Sequence, residues 1–223
     1  MPVIDVTRPS GAVDLVATEN GYVVGVDTGR LDELVTERGL EVVIEAGTGR
    51  PVVRGERIGW LAAPGSIDER TLTDILACVA VAHDRDPDSD TGYAIHVLVD
   101  IGLMALSPAV NDPQTGVQCA EALTQVVADL AQREIGVRTR ERADGTPSVV
   151  VIEDTIGDLL DAAGRQLLLY GAPDRTVTAA LLRLGRQGER AARSDRDRQL
   201  AAAFAADVDE VRAADAGSEG RAW

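Results

Sequence analysis

The spacing of the apolar residues changes at Ser66, and that change dictates the class of fold. Ahead of it lie short Val-rich runs, Ala12–Ala17, Tyr22–Val26, Leu40–Ile44, Val52–Val53 and Ile58–Leu61, separated by Gly, Pro and Asn. Runs this short, bounded by turn residues, predict strands. One helix interrupts them, Leu31 to Arg38, and Gly39 can close it in the left-handed conformation. From Ser66 the period becomes helical. Ser66-Ile67-Asp68-Glu69 fits a capping box, and Leu72, Ile75, Leu76, Val79 and Ala80 follow at helical spacing. Asp84 to Asp90 reads as a loop. A second helix runs from about Thr91 to Leu106 and a third from Asp112 to about Glu134. Three more cover about 155–171, 174–193 and 195–214, with breaks at Pro173-Asp174 and Ser194. Val137 to Ile152 predicts a β-hairpin around Ala143-Asp144-Gly145-Thr146, with a polar first arm and an apolar second arm. The expected fold is α+β. Residues 1–64 form a small β-sandwich-like module, residues 65–215 a mainly helical domain carrying the hairpin 137–152, and residues 216–223 a flexible tail.

Composition removes several functions. All 22 basic residues are Arg. Without Lys there is no internal Schiff base for pyridoxal phosphate, and a Walker A loop would lack its Lys. The strand layout around "GYVVGVD" and "VVRGERIGWL" resembles a biotinyl/lipoyl-type sandwich, but the Lys that such a domain modifies is absent, so the layout implies a fold and not a carrier. Gly47-Thr48-Gly49 lacks the following helix that a phosphate loop needs and reads as a plain turn. The net charge of −15 argues against nucleic acid as a partner. Cys78 and Cys119 sit in apolar patterns and read as reduced core residues. No signal peptide opens the chain, and the longest stretch without a charge, Ile101 to Asn111, falls short of a membrane span. The expected location is the cytoplasm.

Chemistry concentrates in Leu98 to Gly116, "LVDIGLMALSPAVNDPQTG". Nearly every residue from Ala94 to Leu106 is apolar, which predicts a helix buried on most sides, with Asp100 in its middle. A buried carboxylate needs a partner. His96, one helical turn earlier, is one candidate, the following loop is a second, and a ligand is a third. Ser107-Pro108 and Asn111-Asp112-Pro113 are stop and start signals for two helices. On that reading Asp100 ties the loop down. The competing reading is a polar pocket of Asp100, Ser107, Asn111 and Asp112, with His96 beside it, for a small ligand or a hard cation such as Mg²⁺. A relay of Ser107, His96 and Asp100 can be written, but Ser107 lacks the G-x-S-x-G turn and no oxyanion hole is marked. His83 and His96 are too few for a zinc site.

The same segment, with "DTGYAIH" before it, resembles the signature of a bacterial predicted-membrane-protein family, domain of unknown function 2254. Asp90, Asp100, Ser107, Pro108, Asn111, Asp112, Pro113 and Thr115 stand where that pattern has them. The resemblance extends from about Val13 to Ala214. It implies no activity, and it implies transmembrane helices ahead of the "GYV" segment that this chain does not show. Tyr93 replaces a Phe of the pattern, and His96 and Met104 stand where Arg is usual.

Arg183, Arg186, Arg190 and Arg193 fall on one face of helix 174–193, opposite Val177, Ala180, Leu181 and Leu184. This stripe is either a solvated face or a surface that meets acidic groups, including those of an identical subunit. The function expected from these residues is a non-enzymatic cytosolic module acting in assembly or regulation. It needs no cofactor, forms a homo-oligomer and has a membrane protein as a further candidate partner. The alternative is a ligand- or metal-binding site, hydrolytic in its strongest form, at Asp100, Ser107, Asn111 and Asp112.

Overall fold

The computed structural model describes residues 7–85, 90–132, 136–142 and 145–219, and over them the chain is α+β with seven helices and mixed sheets. It divides into two units. Residues 7–85, 90–93, 136–142 and 145–154 form a β-rich unit, and residues 94–132 and 155–219 a helical one.

The β-rich unit runs β1 (Val13–Val16), β2 (Gly21–Val26), α1 (Thr28–Arg38), β3 (Glu41–Ile44), β4 (Pro51–Val52), β5 (Arg57–Ala62), α2 (Glu69–Leu76) and β6 (Val79–Ala82), and is joined by β7 (Arg138–Glu141) and β8 (Pro147–Val151). One sheet has the order β1-β5-β3-β8-β7, the other β4-β2-β6. The sequence reading assigned the hairpin to the helical domain. Instead β8 pairs parallel with β3, Val42 opposite Val149 and Ile44 opposite Val151. The reason lies in side-chain alternation. Val149 and Val151 join Leu15, Val42, Ile44 and Leu61 on the face that covers α1, and Val150 joins Val43 and Trp60 on the other. A strand apolar on both faces belongs inside a sheet. The polar β7, Arg-Thr-Arg-Glu, takes the edge, where charge discourages further pairing.

Two other expectations change here. Asp68, not Ser66, caps α2, its Oδ1 accepting from the Thr71 N–H at 2.7 Å. The helix stops at Leu76, and Val79–Ala82 forms β6, antiparallel to β2. Val79 fits a helical period locally, but β2 supplies the edge that draws it into a sheet. Gly21 must be Gly because any Cβ would collide with the Ala82 carbonyl across that pair. Gly39 closes α1 at φ 64°, as its type predicts.

In the helical unit the elements are α3 (Thr91–Leu106, from Ala94 on), α4 (Pro113–Leu130), α5 (Ile156–Gly171), α6 (Arg175–Ala191) and α7 (Asp195–Glu219). Thr155 and Asp158 make a reciprocal capping box on α5, and Asp174 caps α6. Phe204 of α7, the one Phe of the chain, is fully buried. Its ring lies against Gly164 of α5 and Gly185 of α6, where side chains would occupy its space. Helix α7 continues to Glu219, past the expected end at 214. Residues 220–223 of the expected tail, 86–89 of the acidic loop and 143–144 of the hairpin turn lie outside the described residues. Cys78 and Cys119 are buried and free, and burial raises both thiols. No described helix is long and apolar enough to cross a membrane.

Candidate functional site

The segment from Ala94 through α4 is a helix, a tight turn and a second helix. Its polar residues close that turn. Ser107 Oγ donates to the Met104 carbonyl at 2.7 Å. The Asn111 N–H reaches the Ser107 carbonyl and the Asp112 N–H the Ala105 carbonyl, both at 2.8 Å. Asn111 sits at φ 49°, the left-handed region that Asn tolerates best after Gly. Asp112 caps α4: Oδ1 accepts from the Thr115 N–H at 3.1 Å and Oδ2 from the Thr115 hydroxyl at 2.6 Å. Pro113 follows in the first turn, where it has no N–H to lose. Both oxygens of Asp112 are therefore engaged within the turn.

Asp100, expected inside a buried helix, lies at the surface. Its side chain is 60% exposed and that of His96 is 55% exposed, with Nε2 and Oδ2 3.9 Å apart across one helical turn. The helix buries only one stripe, Ile95, Val99, Gly102, Ala105 and Leu106. That stripe rests on the neighbouring helices, Gly102 against Leu167 and Cys119, and Leu106 against Gly116. The opposite face carries Asp100 together with Val97, Ile101 and Met104, all exposed. An all-apolar helix has no polar side to betray which face is buried, so sequence alone overestimated the burial. Asp100 also lies two helical turns from Ser107, roughly 10 Å along the axis. The four proposed pocket residues are thus spread, with Ser107 and Asp112 in the turn and Asp100 up the helix. No group of three or more His, Cys, Asp or Glu is placed to hold a metal ion among the described residues.

Arg183, Arg186 and Arg190 of the Arg stripe lie along α6, which ends at Ala191, so Arg193 falls just past the helix expected to carry it. Arg183 faces Glu121 at 3.9 Å and Arg186 faces Asp209 at 3.8 Å. Arg190 donates to Gln187 Oε1 at 2.9 Å, and Arg193 donates to the Ala131 carbonyl at the end of α4 at 2.6 Å. A cation on the last carbonyls of a helix meets the negative end of its dipole.

One polar centre escaped the sequence reading. In the β-rich unit Asp90 is only 4% exposed. Arg85 grips it with Nε to Oδ2 at 2.7 Å and Nη2 to Oδ1 at 3.0 Å, and the Tyr93 N–H donates to Oδ1 at 2.9 Å. The guanidinium lies 5.2 Å from the Tyr93 ring centre and 5.9 Å from that of Tyr22. Gly49 backs this group closely enough to leave no room for a side chain. The only local signal was an Asp one residue before a predicted helix, a cap position. Thr48, in the same turn, donates to Glu153 at 3.1 Å, in keeping with a plain turn.

The caps make the fold sensitive to acid. The Thr115 hydroxyl, then its N–H, hold Asp112 below the usual carboxylate range. Burial pushes Asp158 up, but hydrogen bonds from Arg196 and Thr155 outweigh it and leave that carboxyl low as well. Carboxyls depressed by folding contribute stability that is complete above about pH 4 and is lost as pH falls through the folded-state values. Melting temperature should therefore drop below about pH 4, and the drop should be shallower in Asp112→Asn/Arg196→Gln. Circular dichroism melts across the acid range check this, and an identical acid limb in the variant would count against it.

A family model described as "Predicted membrane protein (DUF2254)" matches residues 4–187. Uncharacterized protein Mb1321c of Mycobacterium bovis and Uncharacterized protein Rv1290c of Mycobacterium tuberculosis are each 29% identical to the chain over 180 residues. Each match covers 79% of this chain and 34% of the relative, so the chain spans about a third of the length of the curated relatives it matches. No solved structure matches it. With most of its length, signature turn included, under that family model, the chain belongs to the predicted-membrane-protein family DUF2254.

Proposed function

We propose that this chain is a non-enzymatic module that docks on a membrane-embedded polypeptide and acts in assembly. The observation that carries the reading is the exposed apolar stripe Val97, Ile101 and Met104, with Val110 in the adjoining turn. These three recur at i, i+4 and i+7, the spacing with which one helix lays a continuous face on another. Ser107 and Asp112 are engaged in stopping one helix and starting the next, which leaves the apolar face as the larger available surface. The occupant follows from the family: its description is of membrane proteins, and the matched region is about a third of the curated relatives. We place the module in the cytoplasm, where the free thiols of Cys78 and Cys119 persist.

The test is co-sedimentation with membranes from cells expressing the protein, before and after detergent extraction. Ile101→Glu/Met104→Glu should release it into the soluble fraction. Stability should change by no more than about 0.5 kcal/mol, as expected for exposed positions. A wild-type protein that never sediments with membranes, or a double variant that sediments equally, sinks the reading. A concentration-dependent dimer lost in the double variant would assign the face to a second copy instead.

A second reading rests on the exposed side chains of Asp100, with His96 beside it, and Asn111: a small ligand or a divalent cation, with hydrolysis as its strongest form. Binding of the folded state raises the melting temperature by mass action. A rise with Mg²⁺ that Asp100→Asn abolishes would favour this reading over docking.

A further inference from the structure

We infer that the partner of the α3 face brings a cation to the Asp100 carboxylate, an Arg or Lys set among apolar residues on its own helix. This rests on the docking reading above and specifies the chemistry of the docked partner. Asp100 is the one Asp, Glu or Arg between Thr91 and Asn111, and the chain has no Lys. It stands within the exposed apolar stripe, one helical turn from Val97 and from Met104 and next to Ile101. Residues three and four apart share a helix face, so a partner helix laid along that stripe covers Asp100 as well.

Covering a carboxylate is costly unless a counter-charge or hydrogen-bond donors replace the water it loses. The chain itself offers little of either. Among the described residues the one ion pair of Asp100 is with His96 at 3.9 Å, too long for a hydrogen bond, and no group donates to its oxygens. The polar groups of the turn are directed elsewhere: Ser107 donates to the Met104 carbonyl, and Asp112 is closed on Thr115. The counter-charge is therefore the partner's. An anionic lipid surface is the wrong match, because it would set like charge against Asp100 and against a chain of net charge −15. The cytoplasmic flank of a membrane-spanning segment is enriched in Arg and Lys, and an Arg fork can take both carboxylate oxygens.

The test titrates purified whole protein onto membranes of its native cells, washed free of the bound chain, and measures the pelleted fraction. Asp100→Asn should bind at least about tenfold more weakly than wild type, the loss of a charge-assisted hydrogen-bonded pair. Asp100→Glu should keep most of the affinity. At a position 60% exposed neither change threatens the fold. Added NaCl should weaken wild type more steeply than Asp100→Asn. His96→Gln should lose less than Asp100→Asn, and protein-free vesicles of phosphatidylcholine and phosphatidylglycerol should not bind wild type. If wild type pellets and Asp100→Asn binds as well or better, the proposal falls, while the apolar docking reading, tested by Ile101→Glu/Met104→Glu, stands. Equal binding to the lipid vesicles also overturns it. So does a loss in His96→Gln as large as that in Asp100→Asn, or loss of wild-type binding in EDTA, the mark of a bridging divalent cation. A wild type that never pellets removes both readings.

Discussion

Asp90→Ala is expected to destabilise the β-rich unit by about 3 kcal/mol, the lower end of the cost of breaking a buried ion pair by removing one partner. Three consequences combine. Arg85 loses both hydrogen bonds to a carboxylate that is 4% exposed. The Tyr93 N–H loses its acceptor at the start of α3. The guanidinium stays between Tyr22 and Tyr93, held by the rings but without its counter-charge. The lower end applies because the Arg85 side chain is 21% exposed and water can replace part of what is lost. Asp90→Asn keeps a cap acceptor and should cost about half as much, since Asn is as good an N-cap as Asp. Trp60 is buried in this unit and reports its unfolding in a Trp223→Phe background. Urea denaturation followed by its fluorescence gives both values. A loss below about 1 kcal/mol for the Ala variant, the scale of an exposed pair, would show that the pair is not the anchor described.

In the helical unit the largest single effect is expected from Phe204→Ala, a loss of about 3–5 kcal/mol. The ring is fully buried against Gly164 and Gly185, and Leu160, Leu167, Leu181 and Leu184 complete a core with no other Phe. The two glycines present backbone, not flexible side chains, so the cavity left by the ring cannot collapse easily, and the value should lie toward the upper end. The complementary change, Gly164→Ala, puts a methyl 2.5 Å from Phe204 Cζ. It should cost about 1–3 kcal/mol through overpacking. Helical circular dichroism during denaturation reads both. A Phe204→Ala protein within about 1 kcal/mol of wild type would mean that the three helices close over the gap.

How much was legible follows from the range of each interaction. The caps and stops were read correctly where the chemistry is complete within four residues. Gly39 ends α1, Asp112 and Pro113 begin α4, and Asp174 begins α6. Ser66 shows the limit of such reading: two acceptable caps stood two residues apart, and Asp68 is the one used. The strand Val79–Ala82 was absorbed into a helix because its apolar residues satisfied both periods. Only the unpaired edge of β2, more than fifty residues earlier in the chain, decides between them. The hairpin was found, but its parallel pairing with β3 was not, since no local signal names a partner strand.

For the candidate site the division is the same. The turn from Ser107 to Thr115 was foreseen as a stop and start, and each of its hydrogen bonds spans no more than seven residues. The burial of Asp90 and the exposure of Asp100 were not foreseen. Burial depends on what packs against a residue, and both neighbourhoods are assembled from distant segments.

The sequence by itself determined that this chain is α+β, where most of its helices begin and end, and that its signature segment is a helix–turn–helix. Those properties are set by backbone sterics, caps and apolar period, all of which act locally. Only the tertiary structure decided that β8 completes the N-terminal sheet and that Asp90 is buried while Asp100 is exposed. It also decided that α3 shows an apolar face to its surroundings. Those outcomes depend on which surfaces bury one another, and a chain read one residue after another does not contain that choice in any single stretch.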